Sequence, residues 1–152
     1  MTRRRTWIRK HRTLRWARRA LDRNAPTIAS LLGLTPRAFT VRWMDDGTDA
    51  AHCHSTTAVI CINWAWFKHH RDDIGCLSHE YTHLIQDVPG GTCPPDVVEG
   101  IADAVRFTLG QYDPSWWSPS RWASRIADLP SARLHELARL MAEGRYREFV
   151  WP

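Results

Sequence analysis

The chain has 152 residues, of which 43% are hydrophobic and 24% are charged. This composition is typical of a folded globular protein and excludes disordered, collagen-like and coiled-coil classes, and the length allows one compact core. No stretch approaches the roughly 20 apolar residues that a membrane-spanning helix requires, so a transmembrane role is also excluded.

Positive charge is concentrated at the start of the chain. Residues 1–23 contain ten Lys and Arg residues and one Asp, a net charge of +9, whereas the remainder carries a net charge of −4. The cationic side chains of residues 3–23 can bind nucleic-acid phosphates or another anionic surface. A solvated basic helix without such a partner explains the same charge. No apolar stretch follows the first arginines, which argues against an export signal and predicts a cytoplasmic protein.

The first predicted element is a helix. Beginning at Trp7, apolar residues recur every seven positions, which predicts a basic amphipathic helix that ends at Asn24-Ala25-Pro26. A short helix is predicted over residues 27–32. The sequence therefore divides into a basic N-terminal helix, residues 1–25, and a main domain, residues 26–152.

Strands are predicted next. Apolar and polar residues alternate over residues 39–44, which predicts a half-buried strand that stops at the turn residues Asp45-Asp46-Gly47. The apolar stretch of residues 59–62 is predicted as its hairpin partner. Residues 51–57, just before it, are a further candidate strand.

From residue 72 onward the apolar spacing becomes helical. The predicted helix starts carry an N-cap residue or a proline suited to the first turn, and the predicted ends carry glycine or lie next to it. The first predicted helix runs from Asp72 or Asp73 to Pro89-Gly90-Gly91, and the second runs from Asp96 to Gly110. The third begins at Ser118-Pro119, and the fourth runs from Pro130 to Glu143. Strands followed by helices predict an α+β fold.

A metal-binding motif lies in the first of these helices. His79-Glu80-Tyr81-Thr82-His83 fits the pattern H-E-x-x-H. Residues four apart on a helix share a face, so both imidazoles can reach one ion, and Zn²⁺ suits such ligands. A catalytic zinc needs a third protein ligand, and Glu99 on the following helix offers one. Asp103, one turn further, can accept the free ring N–H of a ligating histidine.

Glu80 distinguishes a catalytic zinc site from a structural one. A structural site has no use for a carboxylate beside its first histidine. In a catalytic site zinc acidifies its water, the carboxylate takes the proton, and the proton later passes to the leaving amine. The predicted reaction is hydrolysis of a peptide bond.

Two segments resemble a known family. Gly75–Gln86 (GCLSHEYTHLIQ) and Glu99–Arg106 (EGIADAVR) are similar to the basic secretory protein family of plants and its bacterial relatives. That family is regarded as zinc peptidases with an H-E-x-T-H-x-x-Q segment and a downstream E-G-x-A-D-x-x-R segment, and it resembles the thermolysin-like gluzincins more distantly. The resemblance covers roughly residues 37–122. The sequence departs from the family in being shorter between Trp122 and Leu134, and its first residues are not expected to form the signal peptide of that family.

The resemblance implies a zincin-like α+β domain with a short sheet, an active-site helix, a glutamate helix and C-terminal helices. Carried over by position, it implies zinc ligation by His79, His83 and Glu99, general-base action by Glu80, and orientation of a ligand by Asp103.

Three further residues near the motifs have open roles. Arg106 continues the polar face of the glutamate helix and either orients a carboxylate or binds substrate. Trp116 and Trp117 follow that helix in a loop and are candidates for an apolar substrate subsite, with burial in the core as the alternative.

His52 and His54 would share one face of a strand, and a second metal site could be drawn from them with Cys53, His69 and His70. The ligand spacing of known metal motifs is not met, which favours surface or cleft-lining residues. Contact of an edge strand with a peptide substrate is the functional alternative. The four cysteines contain no C-x-x-C pair, and we expect mostly buried thiols.

The predicted function is that of a zinc-dependent metallopeptidase acting on a peptide or protein substrate. The alternative is a module that binds nucleic acid or another partner through the basic N-terminal helix and in which the zinc site is structural.

Overall fold

The computed structural model describes residues 3–44, 49–115 and 117–152. Within these ranges the chain has an α+β fold with six α-helices and one three-stranded sheet, in agreement with the predicted fold class. The helices are α1 (Arg3–Leu32), α2 (Trp64–Phe67), α3 (Ile74–Gln86), α4 (Pro95–Thr108), α5 (Ala123–Ala127) and α6 (Ser131–Ala142), and a 3₁₀ turn spans Tyr146–Glu148. The strands are β1 (Thr40–Trp43), β2 (Ala51–His54) and β3 (Val59–Ile62).

Helix α1 is continuous and crosses the predicted boundary between the two parts of the chain. The predicted helix end at Asn24-Ala25-Pro26 is therefore wrong. A proline inside a helix removes one backbone hydrogen bond and costs about 3 kcal/mol. The exposed Pro26 is followed by the fully buried Ile28 and Leu32, whose packing against the core offsets that loss. The helix ends before Gly33, whose φ of +63° is the left-handed conformation favoured at this position.

The order of the strands is β1-β3-β2, with β3 in the centre. Strand β3 pairs antiparallel with β2 and parallel with β1, so the predicted hairpin of residues 39–44 with residues 59–62 is wrong. The hairpin is formed by β2 and β3, because the short connection of residues 55–58 allows only an antiparallel neighbour. Strand β1 pairs with the other edge of β3. The predicted turn at residues 45–47 lies outside the described residues.

Helix α3 begins as predicted at one of the two candidate caps. The Asp73 carboxylate accepts a hydrogen bond of 3.0 Å from the Cys76 N–H. The helix ends at Gln86, and Asp87 adopts the left-handed conformation just beyond it. Leu77, Tyr81 and Leu84 are fully buried on the core face of α3.

Two helix starts differ from their predicted positions. Helix α4 begins at Pro95, so Asp96 is not its N-cap. Asp96 lies in the first turn, where its carboxylate accepts hydrogen bonds from the side chains of Arg121 and Trp122. The helix predicted from Ser118-Pro119 is wrong, because α5 begins only at Ala123. Helix α6 agrees with its prediction to within one residue at each end.

Helix α3 lies at the centre of the domain. It contacts α1, α4, α6 and the edge strand β2. One side of α3 therefore faces α4, and its neighbouring side faces the edge of the sheet. Among the described residues, no helix is both long and apolar enough to cross a bilayer.

Candidate functional site

The side chains of His79, His83 and Glu99 converge between α3 and α4. His79 Nε2 lies 3.0 Å from His83 Nε2 and 3.1 Å from Glu99 Oε2. His83 Nε2 lies 3.5 Å from Glu99 Oε1. The structure thus brings together the three residues that the sequence predicts as metal ligands, and we call them the α3–α4 cluster.

The α3–α4 cluster fits a tetrahedral divalent ion. Zinc bonds of 2.0–2.1 Å to nitrogen and oxygen place neighbouring ligand atoms about 3.3 Å apart. The separations of 3.0, 3.1 and 3.5 Å within the cluster differ from this value by a few tenths of an ångström. Two imidazoles and one carboxylate also leave a fourth position open, which is the arrangement of catalytic zinc sites.

Asp103 holds the first histidine in place. Its Oδ1 lies 3.0 Å from His79 Nδ1, so the ring N–H can donate to the carboxylate while Nε2 faces His83 and Glu99. Its Oδ2 accepts a hydrogen bond of 2.6 Å from the Ser120 backbone N–H. The sequence predicts the contact with His79 but gives no sign of Ser120, which lies in a loop 17 residues away.

Gly100 allows that loop to approach α4. A Cβ atom at this position would lie 2.5 Å from Trp122 Cβ, closer than real side chains approach. The absent side chain lets the segment containing Ser120 pack on the helix one turn before Asp103. The glycine that follows Glu99 therefore contributes to the orientation of His79 through Asp103 and Ser120.

Without a metal, the α3–α4 cluster is held by an ion pair. Burial lowers the pKa of His79, but hydrogen bonds to Asp103 and Glu99 outweigh it and raise this pKa to about 9. Hydrogen bonds from His79 and His83 hold the pKa of Glu99 well below its usual range. A cation that binds here must therefore displace a proton from His79.

Glu80 is half-buried beside this ion pair. Burial raises its pKa, the neighbouring His79 and His83 lower it, and the negative charge of Glu99 raises it. His52 on β2 also lowers the pKa of Glu80. Strand β2 contacts α3, the helix that carries Glu80.

The side chain of Arg106 extends from α4 to the start of α3, where it binds Asp73. The Arg106 side chain is only 5% exposed, and its Nη2 donates a hydrogen bond of 2.9 Å to Asp73 Oδ1. The Trp117 ring stacks over the guanidinium, with 4.7 Å between the guanidinium carbon and the ring centroid. The carboxylate that Arg106 contacts is thus that of Asp73. Trp117 packs on Arg106 and Tyr112, and Trp116 lies outside the described residues.

The other histidines that the sequence analysis considers for a metal site lie in two separate places. His52 and His54 share one face of β2, as predicted, with 3.0 Å between their Nε2 atoms. His70 stacks on Trp66 with 4.0 Å between ring centroids, and His69 is exposed. His52 and His54 lie near Cys61 of β3, and the three ligand atoms are all within 4.8 Å of one another; the sequence analysis did not consider Cys61 as a metal ligand. All four cysteines lie in the described part of the chain, and none of them forms a disulfide.

Comparison with known proteins gives one match. A family model described as a peptidase of plants and bacteria matches residues 41–127, which include β2, β3, α3 and α4. No curated protein and no solved structure matches the chain.

Proposed function

The chain belongs to the peptidase family of plants and bacteria, as the resemblance of its two motif segments predicts, and on that basis we propose that it is a zinc-dependent metallopeptidase. The observation that carries the proposal is the convergence of His79, His83 and Glu99 within 3.5 Å, next to the half-buried Glu80.

The residues of the chain have distinct tasks in this proposal. His79, His83 and Glu99 hold Zn²⁺, which when bound polarises a peptide carbonyl and acidifies water. Asp103 accepts the Nδ1–H of His79 and so leaves Nε2 available to the ion. Glu80 takes the proton from the attacking water as its oxygen adds to the carbonyl carbon. The C–N bond then breaks, and Glu80 delivers the proton to the leaving amine.

The environment of Glu80 suits this transfer. Its pKa is raised mainly by burial, so the carboxylate holds a proton more strongly than an exposed glutamate does. A general base works best when its pKa approaches the working pH. A peptide substrate can pair with β2, which contacts the helix of Glu80 and is an edge of the described sheet.

The test is the substitution Glu80→Gln, with hydrolysis of fluorescently labelled casein and the zinc content of the purified protein as readouts. We expect hydrolysis to fall by about 100-fold or more, which is the usual size of a general-base contribution. The zinc content should remain that of the wild type, because Glu80 is not one of the proposed ligands. The control Glu143→Gln changes an exposed carboxylate on the surface and should leave both readouts unchanged. Full hydrolysis by Glu80→Gln with zinc retained would refute the proposal, as would wild-type hydrolysis that resists a chelator.

A second candidate function is the binding of a polyanion such as DNA by α1. Four exposed arginines line one shallow groove of this helix together with Trp16: Arg12, Arg15, Arg19 and Arg23. Clustered guanidinium groups of this kind bind phosphates without base specificity.

Deletion of α1 cannot test this function, because Ala17, Ala20 and Leu21 of the same helix are buried in the core. Replacing the four arginines with glutamine removes the charge and keeps the helix. The logarithm of the binding constant for duplex DNA falls linearly with the logarithm of the salt concentration. If each arginine contacts a phosphate, the slope of this line should fall in magnitude by about 3 to 4. Unchanged binding and slope would show that α1 is not a DNA-binding surface. The matched control replaces four exposed arginines of the C-terminal part: Arg125, Arg139, Arg145 and Arg147.

A further inference from the structure

A second group of metal-binding side chains lies on the sheet. His52 and His54 are two residues apart on β2 and therefore share one face of it. Cys61 lies opposite His52 in the register of β2 and β3, and residues opposite each other on antiparallel strands also share a face. Alternation along β3 places the buried Ile60 and Ile62 on the other face, towards the core. We call His52, His54 and Cys61 the sheet cluster.

The ligand atoms of the sheet cluster all lie within 4.8 Å of one another. The two Nε2 atoms are 3.0 Å apart, close to the separation of about 3.3 Å that tetrahedral zinc imposes on two nitrogens. The ring centroids are 4.7 Å apart and the ring planes meet at 86°.

The α3–α4 cluster has almost the same arrangement of its two imidazoles. The Nε2 atoms of His79 and His83 are also 3.0 Å apart, their ring centroids are 4.7 Å apart, and their planes meet at 81°. One pair is built on a helix at a spacing of four residues, and the other is built on a strand at a spacing of two. Each pair has a third ligand from a neighbouring element, which is Glu99 in one case and Cys61 in the other.

We propose that the sheet cluster is a second metal site, which binds Zn²⁺ through the imidazole nitrogens of His52 and His54 and the thiolate of Cys61. Imidazole and thiolate are the ligands that this borderline-soft ion prefers. On binding, the Cys61 thiol loses its proton to solvent as the metal–sulfur bond forms. The site does not depend on the proposed peptidase function, because it shares no residue with the α3–α4 cluster.

The position of the site gives it a structural role. Two ligands come from the edge strand β2 and one comes from the central strand β3, so the ion links the two strands across their outer face. Strand β2 also contacts α3, the helix that carries Glu80. Metal in the sheet cluster would therefore fix the edge strand beside the proposed active site.

Cobalt titration of the full-length, metal-free protein under reducing conditions tests the proposal. Co²⁺ replaces zinc, and a thiolate ligand gives it an intense charge-transfer absorption that nitrogen and oxygen ligands do not give. The α3–α4 cluster contains no sulfur ligand, so this absorption reports the sheet cluster alone. We expect two bound Co²⁺ ions and the thiolate absorption in the wild type.

Variants of both cysteines of the hairpin identify the ligand. In Cys61→Ser the thiolate absorption should disappear and the number of bound ions should fall from two to one. Cys53→Ser is the matched control, because Cys53 lies on the other face of β2, and this variant should keep the absorption. His54 is exposed, so His54→Ala should fold normally and should weaken cobalt binding at the sheet cluster by at least about tenfold.

His83→Ala separates this proposal from the peptidase proposal. The variant should lose the ion of the α3–α4 cluster and keep the thiolate absorption. The proposal is overturned if Cys61→Ser retains the absorption or if His54→Ala binds cobalt as the wild type does. It is also overturned if the wild type shows no thiolate absorption at saturation, because the 3.0 Å contact of His52 and His54 would then be only a hydrogen bond.

Discussion

Replacing Asp103 tests the organisation of the α3–α4 cluster, because this carboxylate connects a proposed ligand to the loop behind it. The residue is 5% exposed, and each oxygen has one donor: His79 Nδ1 at 3.0 Å and the Ser120 N–H at 2.6 Å. Asp103→Ala removes both acceptors. Loss of such a supporting carboxylate lowers metal affinity by about 10-fold to 100-fold, or roughly 1.4 to 2.7 kcal/mol.

Asp103→Asn gives a sharper result, because it keeps the shape and changes one oxygen to a donor. The Ser120 backbone N–H can only donate, so the amide oxygen should remain with it. The NH₂ group then faces His79 Nδ1, which must become the acceptor, so the neutral ring carries its proton on Nε2. Because a protonated Nε2 cannot bind zinc, affinity should fall at least as far as in Asp103→Ala. The free energy of unfolding should fall less in Asp103→Asn than in Asp103→Ala, because the bond to Ser120 is kept and one hydrogen bond contributes about 0.5 to 1.5 kcal/mol.

Zinc affinity is measured by competition with a chromogenic chelator, and stability is measured by urea unfolding of the metal-free protein. The control Asp128→Asn changes an exposed aspartate and should leave both quantities unchanged. If Asp103→Asn bound zinc with wild-type affinity, the contact between Asp103 and His79 would not control the tautomer. The assigned role of Asp103 would then be wrong.

Three further predictions concern stability, each measured by urea unfolding of the metal-free protein. Burial lowers the pKa of His79, but hydrogen bonds to Asp103 and Glu99 outweigh it and raise this pKa from 6.5 to about 9. The contribution of these bonds to stability should be complete below pH 6.5 and lost as the pH rises through 9, whereas zinc affinity should increase over this range; a flat stability profile would contradict these contacts. Arg106→Met leaves the buried Asp73 carboxylate without its guanidinium and should cost about 3 to 5 kcal/mol, and a loss below 1 kcal/mol would show that the pair is dispensable. Gly100→Ala places a Cβ atom 2.5 Å from Trp122 Cβ and should cost about 1 to 3 kcal/mol, so wild-type stability would mean that the loop moves away freely.

The convergence of His79, His83 and Glu99 could be predicted because local rules determine most of it. An N-cap at Asp73 starts α3, and helical spacing then places the two histidines on one face. A short turn reverses the direction of the chain between α3 and α4, so Glu99 lies beside the two histidines. These steps need no knowledge of the sheet, which explains why errors in the sheet did not affect them.

Pro26 shows where a local rule fails. A proline usually ends a helix because it cannot donate a backbone hydrogen bond. In α1 the residues beyond it, Ile28 and Leu32, are fully buried against the rest of the chain, and this packing decides the outcome. The sequence alone does not reveal the core that covers these side chains, so the continuation of the helix could not be predicted from Pro26 and its neighbours.

The sequence analysis considered His52 and His54 for a second metal site, but it disfavoured that site because of the ligand spacing and did not include Cys61. Metal-ligand spacings of the helical kind place two histidines four positions apart, whereas His52 and His54 are only two positions apart. On a strand, however, a spacing of two places side chains on one face, and both pairs reach the same Nε2 separation of 3.0 Å. The third ligand, Cys61, depends on the register of β2 against β3, and the sequence analysis had assigned β3 to another partner. A histidine pair at a spacing of two on a predicted strand therefore has to be compared with the residues opposite it on each candidate neighbouring strand.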